Sequence, residues 1–345
     1  MKTKHLALIM AVMTMTACSN EVMDGTQGRD SEIGFSMYTS TQTRGIETDI
    51  EVIKSSNFGI MAYHTGADAW ATKETITTPN VMYNQKVTFS ENVWIYSPMK
   101  YWPEATDTKI SFFAYAPYAT TDNGIALSAN NATGAPSLTF TVNANPTKMV
   151  DLITDAKTDC TKAGGKVQFT MKHALSRVTF DATAIVENEK TTISVKSARL
   201  LSMSSLYQKA VCQLGGNWSY TGATTYAEYA LANILNLTDE ALALNTIGTA
   251  ISLFKDSEFL FLVPVDNAIG TASSGDIKVE FTYDVTTIDA SLVGGKFTTE
   301  NTKVVELPAG ALKKGTAYKY TFNFTPTAIE VGTVDVATWG TEEQL

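Results

Sequence analysis

Apolar and polar side chains alternate with a period of two in many short segments of this 345-residue chain. Leu138, Phe140 and Val142, for example, are separated by threonines. Such alternation places one set of side chains on a buried sheet face and the other set in water. Strands are predicted at residues 33–38, 58–63, 81–89, 93–96, 109–115, 138–142, 151–154, 167–171, 178–180, 193–203, 210–214, 258–265, 277–288, 303–307 and 318–324. We therefore expect an all-β protein built from antiparallel β-sandwiches.

A polar stretch interrupts this pattern near the middle of the chain. Residues 157–165 contain little that could be buried, and they end in Gly164 and Gly165. Short polar linkers of this kind separate domains. We expect an N-terminal β-sandwich at residues 45–162 and a C-terminal β-sandwich at residues 163–326.

Helical spacing is found in the second half of the chain. Within residues 226–237, Tyr229, Ala230, Ile234 and Leu237 would share one face of a helix. We predict a short helix there, as an insertion in the C-terminal sandwich.

The N-terminus has the composition of an export signal. Lys2 and Lys4 precede an apolar run at residues 6–15, which is too short to span a bilayer because a spanning helix takes about 20 residues. Small residues then precede Cys18, as they do in the signal of a bacterial lipoprotein. We predict a signal peptide at residues 1–17 and lipid attachment at Cys18, which would anchor the chain to a membrane.

The first predicted strand is followed by a candidate cleavage site. Ile33, Phe35 and Met37 form its apolar face, and a linker of small polar residues leads from it to Arg44 and Gly45. A basic residue before glycine in an exposed loop is accessible to a trypsin-like protease. Cleavage there would remove the anchor together with the first strand, and another chain's strand could fill the apolar groove left behind.

The C-terminal segment also has the pattern of a strand. Ile329 and Val331 are spaced by two residues, and so are Val334 and Val336, but the Gly-Thr between the two pairs shifts the alternation by one residue. Two short strands or one bulged strand would fit this pattern. Because the chain ends soon after Trp339, we expect a terminal β segment that is free to leave its own domain.

Composition and charge narrow the possible functions. The content of 44% hydrophobic and 18% charged residues is typical of a globular protein. A net charge of −9 without a basic cluster disfavours nucleic acid as a partner. Cys160 and Cys212 remain as a possible disulfide, although we favour two free thiols. Zinc is disfavoured because the chain has no C-x-x-C, and we expect no metal or cofactor.

Motifs of catalysis are absent from the sequence, which has no G-x-S-x-G, H-E-x-x-H, P-loop or G-x-G-x-x-G. We therefore expect no enzyme. His173 is interpreted as a hydrogen-bonded structural residue at a turn. A sugar-stacking platform is a further alternative, and it would use Trp70, Trp94, Tyr96, Tyr101 and Trp102. Burial of these aromatic side chains in a core is the favoured interpretation.

Several longer motifs resemble those of the fimbrillin-like proteins of the Bacteroidetes, and the resemblance spans nearly everything after Cys18. The motifs are VMYNQ at 81–85, YSPMKYWP at 96–103, SFFAYAPY at 111–118, DLI at 151–153, MKHALSRVTF at 171–180, LPAG at 307–310 and KGTAYKY at 314–320. Each motif is weak alone, but together they are specific.

The resemblance implies two tandem antiparallel Greek-key β-sandwich domains of transthyretin-like type, with short helical insertions. It further implies an outer-membrane lipoprotein whose propeptide, residues 18–44, is removed after Arg44 by an arginine-specific protease. The expected function is that of a pilus (fimbria) subunit that polymerises by donor-strand exchange and supports adhesion. Its partners would be other pilus subunits, with residues 327–345, including Trp339, as the donor.

Two alternatives stay open at this point. The chain could be an adhesive tip or anchor component of the same pilus, or a glycan-binding surface lipoprotein that does not polymerise. A surface glycan or protein of a host or another bacterium could then be a partner. A shaft subunit needs both the removable strand and the donor strand, whereas an end component could lack one of them.

Overall fold

The chain is all-β in the computed structural model. The model describes residues 31–39, 49–202, 206–225, 228–238, 240–256, 258–265, 276–308 and 312–339. The helical elements described are α1 (Ile50–Ser56), α2 (Trp70–Lys73) and the 3₁₀ turns Pro146–Lys148 and Lys162–Gly164. Among these residues, no helix has the length and apolar character needed to cross a membrane.

Short strands make up most of the rest. Those described in the first half are β1 (Phe35–Thr39), β2 (Phe58–Gly66), β3 (Met82–Ser90), β4 (Val93–Ile95), β5 (Lys109–Ala116), β6 (Ile125–Leu127), β7 (Ser137–Thr141), β8 (Ile153–Cys160) and β9 (Val167–His173). Those described in the second half are β10 (Ser176–Ala184), β11 (Thr191–Ser202), β12 (Tyr207–Gln213), β13 (Trp218–Thr225), β14 (Glu228–Ala230), β15 (Leu242–Ala243), β16 (Ile251–Ser252), β17 (Leu260–Leu262), β18 (Ile277–Ile288), β19 (Lys296–Glu306), β20 (Thr316–Phe324) and β21 (Ile329–Thr338).

Each half of the chain is organised by large sheets. The first half forms a seven-stranded sheet in the order β1-β9-β8-β5-β2-β3-β4. The second half forms one sheet in the order β16-β10-β20-β21, with β17 also paired to β10, and another in the order β14-β11-β18-β19, with β15 also paired to β11. The last two sheets face each other, since the ring of Phe281 lies 4.8 Å from that of Phe322 and 5.2 Å from that of Phe324.

A further sheet joins the two halves. Its order is β13-β12-β7-β6, so β7 of the first half pairs with β12 of the second, with Leu138 opposite Cys212. The buried side chains around this sheet form a continuous core that we call the shared core, and it includes Tyr63, Phe140 and Phe180. The halves are therefore connected by backbone hydrogen bonds as well as by packing. The tandem Greek-key arrangement stays a prediction.

The strand β5 shows why the first half contains continuous apolar runs. It lies between β2 and β8 in the middle of the seven-stranded sheet. Phe112 belongs to a separate cluster of buried side chains that also includes Phe58 and Phe169, which we call the N-terminal core. Phe113 and Tyr115 point into the shared core. Because both faces are covered, the strand has no exposed face, and residues 112–116, FFAYA, form a continuous run of aromatic and apolar side chains.

Beyond the predicted boundary, the chain returns to the first sheet before it enters the second half. β9 hydrogen-bonds to β8 and β1 and belongs to the seven-stranded sheet. Ala174 and Leu175, both fully buried, then connect it to β10 in a different sheet. The apolar alternation changes phase at this crossing, from Val167, Phe169 and Met171 to Val178 and Phe180. The boundary at residues 157–165 stays a prediction, while the hydrogen bonding of the first sheet extends to His173.

The helix predicted at residues 226–237 is wrong for the residues described there. Glu228–Ala230 forms β14, and Tyr229 lies opposite Leu200 of β11 with its side chain buried. A turn follows, in which the amide of Leu235 donates to the carbonyl of Leu231. The apolar spacing of a helix arises here from a strand followed by a turn, both of which face the shared core.

The last strand forms as one bulged strand. β21 pairs with β20 in an antiparallel manner, and its register shifts between Val331 and Val334. The change of phase across Gly332 and Thr333 is therefore a bulge, one of the two arrangements expected from the sequence.

Candidate functional site

The first strand occupies the edge of the seven-stranded sheet. β1 runs parallel to β9, with Phe35 opposite Val167 and Thr39 opposite Met171. The residues before it, 31–33, lie against a different segment of backbone. We call the channel that holds residues 31–39 the first-strand slot.

A second backbone segment holds the start of this strand. The amide of Ile33 donates to the carbonyl of Lys100 at 2.9 Å, and the amide of Trp102 donates to the carbonyl of Ser31 at 2.6 Å. The hydroxyl of Tyr96 donates to the carbonyl of Ile33 at 2.7 Å, in a buried position. Loss of the strand would remove these three hydrogen bonds, each of which contributes about 0.5–1.5 kcal/mol net to stability.

The apolar face of the strand completes the N-terminal core. The exposed fractions of Ile33, Phe35 and Met37 are 0%, 4% and 6%. The ring centroid of Phe35 lies 5.3 Å from that of Tyr96 and 5.8 Å from that of Phe112. Each buried side chain of this size contributes about 1.5–3 kcal/mol, so the three contribute roughly 5–9 kcal/mol. An empty slot would expose a long apolar groove.

The last strand is more exposed than the first. β21 is the terminal strand of its sheet and pairs with β20. Ile329, Val331 and Val334 are partly buried against the shared core, whereas Val336 is 57% exposed. Of the four apolar residues assigned to the donor strand, three therefore face the chain's own core and one faces solvent.

Trp339 fixes the end of the last strand. Its ring stacks on His173 with a centroid separation of 3.8 Å and on Phe261 at 5.6 Å, with both pairs nearly parallel. The guanidinium of Arg177 lies 5.8 Å from the ring centroid, within cation–π range. The amide of Trp339 donates to the carbonyl of Gly315 at 2.9 Å. We call these four side chains, Trp339, His173, Phe261 and Arg177, the Trp339 latch.

His173 supports this latch as a structural residue. Its Nδ1 lies 3.0 Å from Oδ2 of Asp151, a carboxyl group that is buried. The indole Nε1 of Trp339 is buried and has no hydrogen-bond partner among the described residues. A cleft of about 750 Å³ opens beside the indole, and Lys172 and Lys314 also line it. The latch is thus held by stacking and leaves one polar group unsatisfied.

The residues predicted for lipid attachment and cleavage lie outside the described residues. Cys18 falls before residue 31, and Arg44 and Gly45 fall between Thr39 and Asp49. Both assignments stay predictions.

The five aromatic residues considered for a sugar platform are not exposed together. Trp70, Tyr96 and Trp102 are buried, Trp94 packs with its ring 5.0 Å from that of Phe58, and Tyr101 is exposed. Tyr96 also belongs to the first-strand slot, where burial raises the pKa of its hydroxyl to about 12. These side chains serve mainly as core residues of the N-terminal half.

The two cysteines within the described residues are both free. Burial raises the pKa of the Cys212 thiol to about 11, and burial likewise raises the pKa of the Cys160 thiol. In the part of the chain that the structure describes, no three His, Cys, Asp or Glu side chains come together as metal ligands would.

Comparison with known proteins identifies the family. The family described as fimbrillin-like matches residues 24–339. This chain belongs to the fimbrillin-like family. The fimbrium subunit Fim1C of Phocaeicola vulgatus is 35% identical to it, over 97% of this chain and 96% of that protein. A crystal structure of a fimbrial protein from Bacteroides vulgatus is 32% identical, covers 90% of this chain and 99% of that one, and has a TM-score of 0.79. The resemblance inferred from the motifs is confirmed.

Two of those motifs hold the terminal strands, a role that sequence reasoning missed. The motif at 96–103 supplies Tyr96, Lys100 and Trp102 to the first-strand slot. The motif at 171–180 supplies His173 and Arg177 to the Trp339 latch. Spacing alone could not reveal these contacts, because each joins segments far apart in the sequence.

Proposed function

We propose that this chain is a structural subunit of a cell-surface pilus and that it polymerises by exchange of a terminal strand. The observation that carries the proposal is the first-strand slot. A single edge strand completes the N-terminal core with Ile33, Phe35 and Met37, and it precedes Arg44 by a few polar residues. Cleavage at Arg44 would convert a closed core into an acceptor groove.

The donor in this proposal is β21. It is a terminal strand that pairs with β20, and it carries four apolar side chains. To donate, it has to leave β20 and give up the Trp339 latch. The groove of the next subunit offers compensation, because it provides backbone partners from residues 100–102 in addition to the ladder of β9, and it buries the apolar face of the strand.

The N-terminal anchor belongs to the same proposal. A lipid on Cys18 would hold the precursor at the outer membrane until an arginine-specific protease releases the body of the protein. A Cys18→Ala variant should accumulate as an unprocessed precursor away from the cell surface, as judged by surface proteolysis and immunoblotting. A fully processed, surface-exposed Cys18→Ala protein would contradict lipid attachment at this residue.

The decisive experiment concerns Arg44. An Arg44→Ala variant, produced in the native host or in a bacterium with the matching protease, should accumulate as a monomer and form no SDS-resistant ladder. Arg29→Ala is the matched control, because Arg29 precedes the first strand and its cleavage would leave the slot filled. Normal ladders from the Arg44→Ala variant would rule out this cleavage site.

One observation favours an alternative in which the chain ends the polymer as a tip or anchor component. The Trp339 latch holds the last strand on its own domain, as a subunit that accepts a strand without donating one would require. Immunogold labelling separates the two functions. A shaft subunit labels along the whole fibre, whereas an end component labels one end.

A further inference from the structure

Exposed apolar side chains gather at one end of the C-terminal half. They are Ile185, Ile247, Ile288, Leu292, Val293 and Phe297. Val293 is fully exposed, and Phe297 is 64% exposed. We call this group the apolar pole. Soluble monomers rarely expose contiguous apolar patches of large side chains unless the patch is an interaction site.

The hydrogen bonding places these residues at one end of the C-terminal half. Ile185 follows β10, and its amide donates to the carbonyl of Phe324 at 2.7 Å. Ile247 forms a bridge with Ala184, the last residue of β10. Ile288 ends β18 and lies opposite Lys296 at the tip of the β18–β19 hairpin. β18 runs toward the same end as β20, since Phe281 packs on Phe322 and Tyr283 packs on Phe324, so all three isoleucines lie at the same end of the sandwich.

The β18–β19 hairpin projects beyond the neighbouring sheet at this end. The ring of Tyr283 lies 5.5 Å from that of Phe324, where β20 stops. β18 continues to Ile288, which at about 3.3 Å per residue is roughly 16 Å further. Leu292 and Val293 are carried on the turn at the tip. The apolar pole is therefore a protrusion rather than a pocket.

The last strand leaves the sandwich at the same end. β20 ends at Phe324, and a tight turn follows in which the amide of Thr325 donates to the carbonyl of Ala328 at 2.8 Å. β21 then runs back from Ile329 toward the first half of the chain. If β21 detaches from β20, it extends outward past the apolar pole, with only this turn between it and the body of the protein.

The first-strand slot opens away from the junction between β9 and β10. β1 runs parallel to β9, and β9 leads into β10 at its C-terminal end, so residues 31–33, which lie before the pairing of Phe35 with Val167, mark the end of the slot farthest from this junction. Tyr101, bridged to Glu32, and nearby Met99 are 47% and 38% exposed at this mouth. A strand that entered through the mouth with Ile329 outermost would run in the same direction as β1.

We infer that the apolar pole is a docking surface for a second copy of this chain and that it packs against the mouth of that copy's first-strand slot, beside Met99 and Tyr101. The inference rests on the proposed strand exchange. The short turn after Phe324 brings the two bodies into contact when the strand is seated, and apolar side chains then face each other across the joint. The joint is a body-to-body interface in addition to the exchanged strand.

Site-directed cross-linking tests this arrangement in intact polymers. Val293→Cys and Tyr101→Cys are combined in a Cys160→Ser background, and the polymers are treated with a short bis-maleimide. The cross-link should join neighbouring subunits. The matched control replaces Val293→Cys with Glu306→Cys, which is also exposed but lies at the other end of β19. Cross-linking of the 101–306 pair should be at background level.

The outcomes separate this inference from the proposed function. If the protein that carries only Cys160→Ser forms no polymer, the proposed strand exchange is contradicted. If polymers form but the 101–293 pair cross-links no better than the 101–306 pair, the apolar pole does not face the slot. A Val293→Asp/Phe297→Asp variant should still fold and should polymerise about tenfold more slowly. Polymerisation of this variant at the normal rate would overturn the inference. Membrane binding would also overturn it: in that case the unsubstituted monomer would float with phosphatidylethanolamine–phosphatidylglycerol vesicles, and the variant would not.

Discussion

Trp339 is the residue that decides how firmly the last strand stays on its own domain. Its indole lies nearly parallel to the rings of His173 and Phe261, and only 4% of the residue is exposed. β21 itself carries no fully buried side chain. The latch therefore adds an anchor at the C-terminal end of the strand to its ladder with β20, so release of the strand requires the indole to leave the latch.

Replacement of Trp339 with alanine should destabilise the monomer by about 3–5 kcal/mol, because a large buried aromatic is removed. Trp339→Phe should cost roughly 1 kcal/mol, since a ring is kept and the unsatisfied indole N–H is lost. Val336→Ala is the control, and this exposed position should change stability by less than about 0.5 kcal/mol. Chemical denaturation measures all three. Equal effects at positions 336 and 339 would show that the latch does not hold the strand.

At the scale of elements, the first and last strands differ in how they are bound. β1 pairs with β9, and residues 31–33 just before it are held by residues 100–102. β21 pairs with β20 and has a bulge in the middle of its ladder. The slot buries the apolar face of its strand, whereas β21 carries no fully buried side chain. In the proposed exchange, this difference would favour transfer of a last strand into an empty slot.

A chain that ends after Pro326 tests the role of β21. We expect it to fold, because the strands of both halves other than β21 remain, and to fail as a donor to another subunit. Mixed with the intact protein, it should still accept a strand and so shorten the polymers. Size-exclusion chromatography and ladder length on gels measure both effects. Long fibres formed by the truncated chain alone would place the donor elsewhere, and failure to fold would make β21 an ordinary core strand.

How well each element could be predicted depended on where its side chains point. The alternation of apolar and polar residues predicted β7, β9 and β18, and β5 was predicted from a run of mainly apolar residues. The first part of β19 was missed because its side chains are exposed on both faces. Pairing was beyond prediction, since the parallel contact of β1 with β9 joins strands that are distant in the sequence. Burial of Ile33, Phe35 and Met37 was predicted correctly. The hydrogen bonds between residues 31–33 and residues 100–102, and the Trp339 latch, were not predicted.

At the scale of the whole molecule, the two halves form one packed unit. The sheet β13-β12-β7-β6 contains strands from both, and the shared core extends from Tyr63 in the first half to Phe324 in the second. Separation of the halves would break the β7–β12 ladder and expose the apolar faces of both strands. Their stabilities are therefore coupled.

Thermal unfolding of the monomer should consequently show one cooperative transition. Differential scanning calorimetry should give a calorimetric enthalpy equal to the van't Hoff enthalpy, as in two-state unfolding. Ala210→Asp, a buried position on β12, should lower the melting temperature of the entire molecule. Two separate transitions, only one of which responds to this substitution, would show that the halves unfold independently.

The pairing of β1 with β9 also determines the order in which the protein can be completed during synthesis. β1 is the first described strand to be made, yet residues 96–102 and β9, which hold it, follow much later in the chain. Closing so long a loop is slow, because its entropy is lost before the contacts form. Until then Ile33, Phe35 and Met37 are unprotected, so a protease that reached Arg44 early would remove the strand before its groove existed. The strand that has to wait for its partners is also the strand whose removal would start the proposed assembly.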